Sequence, residues 1–318
     1  VLEPLPYARG EDLLLVRQTR TDVDNTGFSI LDLGDISRRT ASLDALVEYH
    51  NMYFILLGGL EPERVATGVV SWDYFQALGV TPLLGRTFRA EDDSHEAEAT
   101  LVLSHEYWQR AFAGRQDVIG RVVEMNDRRH TIVGVLPDVP MYPQPNDVYM
   151  PRSACPFRMS PGDRERRASG MASAIGRRRP GHSLGAVQAD LAQVARGLES
   201  DFPNAYPSAL GHGLAVSPLR REFTREFESA LLILVGTAGF VLLIVCASVA
   251  NLALARTMRR DRELALRSAL GASHARLLRQ LGTESLILSL AGGAGGLLLA
   301  FVGMDLLVQY AGRFTPRA

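Results

Sequence analysis

The stretch "ALLILVGTAGFVLLIVCASVANLALA", residues 230–255, decides the fold. It runs for 26 residues without a charge. A helix that crosses the hydrocarbon core of a bilayer needs about 20 apolar residues. A core helix of a soluble domain that long, with no polar stripe, would be unusual. The segment therefore reads as a membrane span. A second stretch, "SLILSLAGGAGGLLLAFVGM" at 285–304, adds 20 more residues. It is rich in glycine, which lipid-embedded helices tolerate. Gly292, Gly296 and Ala300 stand four apart. That spacing puts small residues on one face, where a neighbouring helix approaches closely. The plainer reading is relaxed glycine usage in lipid.

Two spans, at about 230–255 and 285–310, divide the 318 residues. Residues 1–226 have ordinary charge content and read as a soluble domain; residues 227–312 are mostly apolar. The whole-chain net charge of −1 averages the two and says little.

Between the spans lies a loop at 256–284. Its core, "RELALRSALGASHARLLRQ" at 262–280, reads as helix, turn, helix. From 256 to 280 there are seven arginines, opposed only by Asp261 and Glu263. Short basic loops stay in the cytoplasm. The large domain and the C-terminal end therefore lie outside. No signal peptide precedes that domain, and the abrupt start "VLEPLPY" predicts a membrane helix before it.

The basic segment has three readings. A DNA-reading element fits the helix–turn–helix outline, but tethering to spans at both ends keeps it out of a major groove. A topology signal touching anionic lipid is worth about 1 kcal/mol per arginine. A docking element explains more of the pattern. Glu263 and Arg267 form an i,i+4 pair in the favourable order, worth about 0.3 kcal/mol. Leu264, Ala265, Ala269 and Leu270 add an apolar strip, and Gly271-Ala272 a tight corner.

All 34 basic residues are arginine. Without lysine there is no P-loop, no Schiff base and no Ser–Lys dyad. ATP, if it powers the protein, binds on another chain. The histidines are scattered; His95-Glu96 and His105-Glu106 lack the second histidine of a zinc helix. Cys155 and Cys246 show no metal spacing, and their positions argue against a disulfide. No catalytic residues, metal site or cofactor site is expected.

Within the outer domain, "DLLLVRQT" (12–19) reads as a strand. "SLDALVEYH" (42–50) reads as a helix capped by Ser42, and "SWDYFQALGV" (71–80) as a helix burying Trp72, Phe75 and Leu78. "TLVLS" leads into "HEYWQRAFAG" as strand then helix, with Ser104 as cap and Gly114 as stop. "GRVVEMNDRRHTIVGVLPD" (120–138) reads as a hairpin turning at Asn126-Asp127. Residues 183–203 read as an amphipathic helix, 140–161 as a proline-rich loop. The arginines at 164, 166, 167 and 177–179 read as solvated surface. The domain class is mixed α+β.

The stretches "GVTPLLGRTFRAEDD", "VLSHEYWQRAFAG", "VIGRVVEMNDRRHTIVGVLPD" and "GRRRPGHSLGAVQADLAQVARGLESDFP" resemble the periplasmic domain of MacB-like permeases. The segment from "LLIVCASVANLALARTMRRDRELALRSALGASHARLLRQ" onward resembles the FtsX-like permease region that follows it. The resemblance covers nearly the whole chain. It departs at Ser248, where close relatives often carry asparagine, and in the absence of lysine from the loop.

The resemblance implies a permease of an ABC transporter in the bacterial inner membrane, multi-pass, with a two-lobed α+β domain in the periplasm. The inserted lobe falls at about 61–155. The family has four helices, the first before this domain and three after it; this chain is expected to begin just after the first, to carry the second and third, and to stop before the fourth. The cytoplasmic loop becomes the coupling helix, moved by a separate ABC ATPase. That role is carried over to Arg262, Glu263, Arg267, Gly271 and Ala272. A homodimer, or pairing with a second permease half, follows from the ATPase dimer. The outer partner is a periplasmic adaptor in an exporter, or a cell-wall hydrolase in an FtsX-like regulator that transports nothing. A membrane-anchored sensor and a non-functional gene fragment are the remaining alternatives. No nucleic acid is implied.

Overall fold

The computed structural model describes residues 5–57, 62–94, 96–167, 170–269 and 274–314. The chain divides into two compact units, Val1–Phe227 and Glu228–Ala318. The first unit is built on a mixed ten-stranded sheet. In chain order its elements are β1 Leu13–Thr19, α1 Ile30–Arg39, β2 Leu43–Leu57, β3 Glu63–Val70, α2 Tyr74–Leu78, β4 Leu84–Gly85, β5 Ala99–Leu103, α3 His105–Phe112, β6 Val122–Met125, β7 Arg128–Val135, β8 Val148–Pro151, α4 Pro161–Arg164, β9 Ser173–Arg178, α5 Leu184–Asp201 and β10 Gly213–Pro218. The strand order is β10-β1-β9-β2-β3-β8-β5-β7-β4, with β6 paired to β2 and β7. The β3–β8 and β5–β7 pairs are parallel; the rest are antiparallel.

The run "LLLV" opens β1 because the strand is buried on both faces. Leu14 and Val16 pack under α1 and α5, with Phe28, Ile36, Val187 and Leu191. Leu13 and Leu15 face the opposite core, with Tyr49, Tyr74 and Phe75. Near-continuous apolar runs mark strands covered on both sides. α5 buries Val187, Leu191, Val194, Ala195 and Leu198, the helical spacing its sequence carries. Ser183 caps it by accepting from the Ala186 N–H at 3.2 Å, and Ser104 caps α3 through the Tyr107 N–H. A third core lies around β5, α3, β7 and the distal half of β2. The hairpin turns at Asn126 and Asp127, both at positive φ, as a tight two-residue turn between twisted strands requires.

Three expectations are corrected. Residues 42–50 are not a helix: 43–57 form the long strand β2. Ser42 does not cap anything; its N–H and hydroxyl both donate to the Asp190 carboxylate. Val47 and Tyr49 go to one core, while Glu48 and His50 point to the other side and are also buried, so the segment lacks a polar face of either period. The 140–161 stretch is not only loop, since Val148–Pro151 form β8, buried at every position. The arginine clusters are solvated only in part: Arg164, Arg166 and Arg179 are exposed as expected, while Arg167, Arg177 and Arg178 are taken up by the domain. Arg167 lies over the Phe202 ring and pairs with Asp32 and Asp35. The Arg177 guanidinium is buried and donates to the carbonyls of Ala77, at the end of α2, and Ala8. Arg178 pairs with Asp12 at 2.8 Å.

Gly134 marks a close approach of β7 to the segment that follows β4. A Cβ there would sit 2.0 Å from the Arg86 carbonyl oxygen. Gly134→Ala is expected to destabilise the outer domain by about 2–3 kcal/mol, the range for overpacking a filled site. Both tryptophans, Trp72 and Trp108, lie in this domain, so urea unfolding of the full chain in detergent, followed by tryptophan fluorescence, reads the loss directly.

Candidate coupling segment and its connection to the outer domain

After β10 the chain enters two long helices, α6 Leu219–Ala269 and α7 His274–Phe314. Within them, Leu232–Leu252 and Ser289–Leu306 are apolar enough to cross a membrane, with mean hydropathies of 2.6 and 1.5. Among the described residues, both windows are exposed along their length. Exposed leucine, valine and phenylalanine along the whole of both windows suit a lipid solvent. The hydroxyls in the first window are satisfied internally. Thr237 donates to the Ile233 carbonyl and Ser248 to the Ile244 carbonyl, as polar groups in hydrocarbon must. Cys246 lies in the same window, and Cys155 is buried in the outer domain; neither forms a disulfide.

The expected site residues are placed as follows. Arg262, Glu263 and Arg267 fall in the last turns of α6. Gly271 and Ala272 lie outside the described residues, in the interval between α6 and α7. Gly292, Gly296 and Ala300 lie on α7 and are exposed. A Cβ added at either glycine would meet no atom within 4 Å among the described residues.

No distinctive local signal in the residues around 219 marks how α6 begins. It follows Pro218 of β10 with no intervening loop. Its first residue, Leu219, is fully buried in the core that holds Leu13, Leu15, Val47 and Tyr49. One turn on, the Glu222 carboxylate accepts from the Ser217 hydroxyl at 3.1 Å and from the Arg17 guanidinium of β1 at 3.4 Å. A carboxylate in a helix's first turn is also favoured by the helix dipole. The first turn of α6 is thus packed and bonded as part of the sheet domain. The signal in the sequence was an apolar residue followed at i+3 by an acid, too common to stand out.

A second feature escaped the sequence reading. Midway along β2, Glu48 is buried and paired with two arginines: Arg158 at 3.1 Å and Arg152 at 3.6 Å. Arg152 also reaches Asp93 at 2.8 Å, and Asp93 accepts the Ser153 N–H. His50 lies beside this cluster, and neither of its ring nitrogens has a hydrogen-bond partner among the described residues. Burial, with the Arg158 charge adding to it, lowers His50 to about 3. Burial raises Asp93 to about 6 against the pull of Arg152, and raises Asp73 in the same sense. Among the described residues no cluster of histidine, cysteine and carboxylate could hold a metal.

These shifts predict a pH dependence by sign. Asp93, raised when folded, contributes stability at low pH that is lost as pH rises from 3.8 through about 6. His50, lowered when folded, contributes stability above 6.5 that is lost as pH falls toward about 3. Over the shared window the two oppose each other. Relative to the unmodified chain, Asp93→Asn should therefore gain stability as pH rises across that window, and His50→Gln should lose it. Each change is on the order of 2 kcal/mol. Urea midpoints of the full chain at a series of pH values check both slopes.

Comparison with known proteins agrees with this architecture. Residues 4–194 match the MacB-like periplasmic core domain, and residues 235–316 match the FtsX-like permease C-terminal. The pyoverdine export ATP-binding/permease protein PvdT of Pseudomonas entomophila is 28% identical over 95% of the chain. The macrolide export ATP-binding/permease protein MacB of Rhodospirillum rubrum is 24% identical over 96% of it. The chain spans 45% and 47% of those two relatives' own lengths. The fold resembles the crystallised periplasmic region of MacB from Actinobacillus actinomycetemcomitans, with a TM-score of 0.51 at 16% identity; the match covers 68% of this chain and 94% of that one. The first unit is thus a mixed α+β periplasmic domain and the second a pair of membrane helices, and the chain belongs to the MacB/FtsX-type ABC transporter permeases.

Proposed function

We propose that the chain transmits ATP-driven motion from a cytoplasmic ATP-binding unit, outside these 318 residues, to the periplasmic domain, and that this motion drives export or extraction of a substrate in a bacterial inner membrane. The observation that carries the reading is the short arginine-rich segment between two spans, in a chain whose other end is a MacB-like periplasmic domain. Relatives of the same architecture are named for export of pyoverdine and of macrolides. The chain itself offers neither a lysine for nucleotide phosphates nor a catalytic set, so its part is mechanical.

In this reading the end of α6, with Arg262, Glu263 and Arg267, and the corner at Gly271 and Ala272 dock on the ATP-binding unit. The Glu263–Arg267 pair stiffens the docking turn, and the arginine face meets acidic groups on its partner. Two ATP-binding units need two such surfaces, so the permease works as a homodimer or with a second permease half. The open face at Gly292, Gly296 and Ala300 is where α7 receives a neighbouring membrane helix, through close backbone approach. A periplasmic partner, adaptor or hydrolase, receives the motion on the outer side. On this reading residues 61–155, approximately, are the inserted lobe of that domain.

The test is to purify the full-length gene product in nanodiscs with the ATP-binding unit encoded with it. Glu263→Ala/Arg267→Ala is expected to reduce co-elution and permease-stimulated ATP hydrolysis by about tenfold, the loss of a docking contact worth about 1.4 kcal/mol. Unchanged association and unchanged stimulation in the double variant would overturn the docking role.

A further inference from the structure

Among the described residues, β2 is the one strand shared by both halves of the sheet. On one side it pairs with β9 through Leu43 to Tyr49. On the other it pairs with β3 through Tyr49 to Leu56. The two ladders overlap at a single residue, Tyr49, which faces Ser173 across one edge and Val70 across the other. Ser71 extends the overlap by one residue: its N–H donates to the Glu48 carbonyl, and its hydroxyl accepts the Glu48 N–H. The sheet thus consists of a β10-β1-β9 half and a β3-β8-β5-β7 half, joined by one strand over a very short common length.

The two faces of that junction differ in kind. Val47 and Tyr49 point into an apolar core that includes residues of both halves, among them Leu13, Ile175, Phe75 and Tyr149. Glu48 and His50 point the other way, into the charge cluster. That cluster gathers groups from every segment passing the junction. Glu48 and His50 come from β2, Ser71 and Asp73 from the turn after β3, and Asp93 from the turn before β5. Arg152, Ser153 and Arg158 come from the segment that leaves β8 for the other half. Asp92, next to Asp93, is taken up by Arg86. The chain crosses between the halves twice, at β2 and at the segment after β8, and the Glu48–Arg152 and Glu48–Arg158 pairs brace one crossing against the other.

The apolar face resists parting because any exposure of it is unfavourable. The charged face does not resist in the same way. A buried ion pair recovers much of its desolvation penalty when it opens to water, so its net contribution is small. A junction that is apolar on one side and ionic on the other therefore opens on the ionic side and pivots on the apolar one. We propose that residues 47–50 of β2 are a hinge between the two halves of the periplasmic domain, and that the Glu48–Arg152–Asp93–Arg158 cluster is the latch that holds the hinge as seen here. The hinge belongs to the outer domain alone and holds whatever drives the chain.

Two measurements on the full chain in nanodiscs test it. For the first, Cys246→Ser removes the exposed thiol, and Gln109→Cys and Arg196→Cys place spin labels on exposed positions of α3 and α5, one in each half. The distance between the labels should be a single narrow distribution in the latched protein. Glu48→Gln, which leaves Arg152 and Arg158 facing an uncharged group, should add a second distance. One unchanged narrow distribution in a Glu48→Gln chain with native tryptophan fluorescence would overturn the latch. The second measurement uses the unsubstituted chain, so it decides even where Glu48→Gln fails to fold. Amide exchange at Glu48 and Ser71 should be about tenfold faster than at Leu14 to Val16 or Leu101 to Leu103, the signature of an opening smaller than global unfolding. Equal, slowest-class exchange at all of these positions would show one rigid block and no hinge.

Discussion

The burial of Leu219 and the bonding of Glu222 to Arg17 and Ser217 make the first turn of α6 part of the sheet domain. A flexible connection after β10 would let α6 turn without disturbing the sheet. Instead the strand runs into the helix at Pro218-Leu219, and the helix's first turn is part of the domain core. Fully burying a leucine is worth about 1.5–3 kcal/mol, and the half-buried Arg17–Glu222 pair adds direction more than energy. The same β1 that supplies Arg17 is buried on both faces between α1 and α5 on one side and the Tyr49–Tyr74–Phe75 core on the other. Displacement of the first turn of α6 is therefore resisted by a strand buried on both faces.

Arginine is the second thread. The chain has 34 basic residues and no lysine, and the outer domain uses the difference. A planar guanidinium serves several acceptors in fixed directions. Arg177 reaches the carbonyls of Ala77 and Ala8, and Arg128 reaches those of Ser153 and Ala154. Arg167 stacks on Phe202 while pairing with Asp32 and Asp35. Each tethers segments far apart in sequence. This is why Arg167, Arg177 and Arg178 looked like surface when read in one dimension: their acceptors are backbone carbonyls and distant carboxylates that local sequence does not show.

The membrane helices, β1, the β5–α3 unit, the β6–β7 hairpin and α5 were legible because each carries a local signal. These are a long apolar run, a Ser cap, an Asn-Asp turn and a helical stripe. The strand β2 was misread because Ser42 followed by leucine and alanine imitates a capped helix, whereas its extended form is set by pairing with β9 and β3. Glu48 could not be recognised as buried, since its partners Arg152 and Arg158 lie over a hundred residues away. Identification of the family rested on motifs in order along most of the chain and agrees with the matched regions. The coupling residues are a reading of charge pattern and resemblance alone.

The most direct test of mechanical transmission is a short flexible glycine insertion between Pro218 and Leu219 of the full-length permease, assembled with its ATP-binding unit. Amide exchange of the periplasmic domain is compared with and without bound ATP. The account predicts that ATP changes exchange in the unmodified domain, and that the insertion abolishes this change while ATP hydrolysis and assembly persist. An ATP-dependent change that survives the insertion, or none in the unmodified protein, would contradict it.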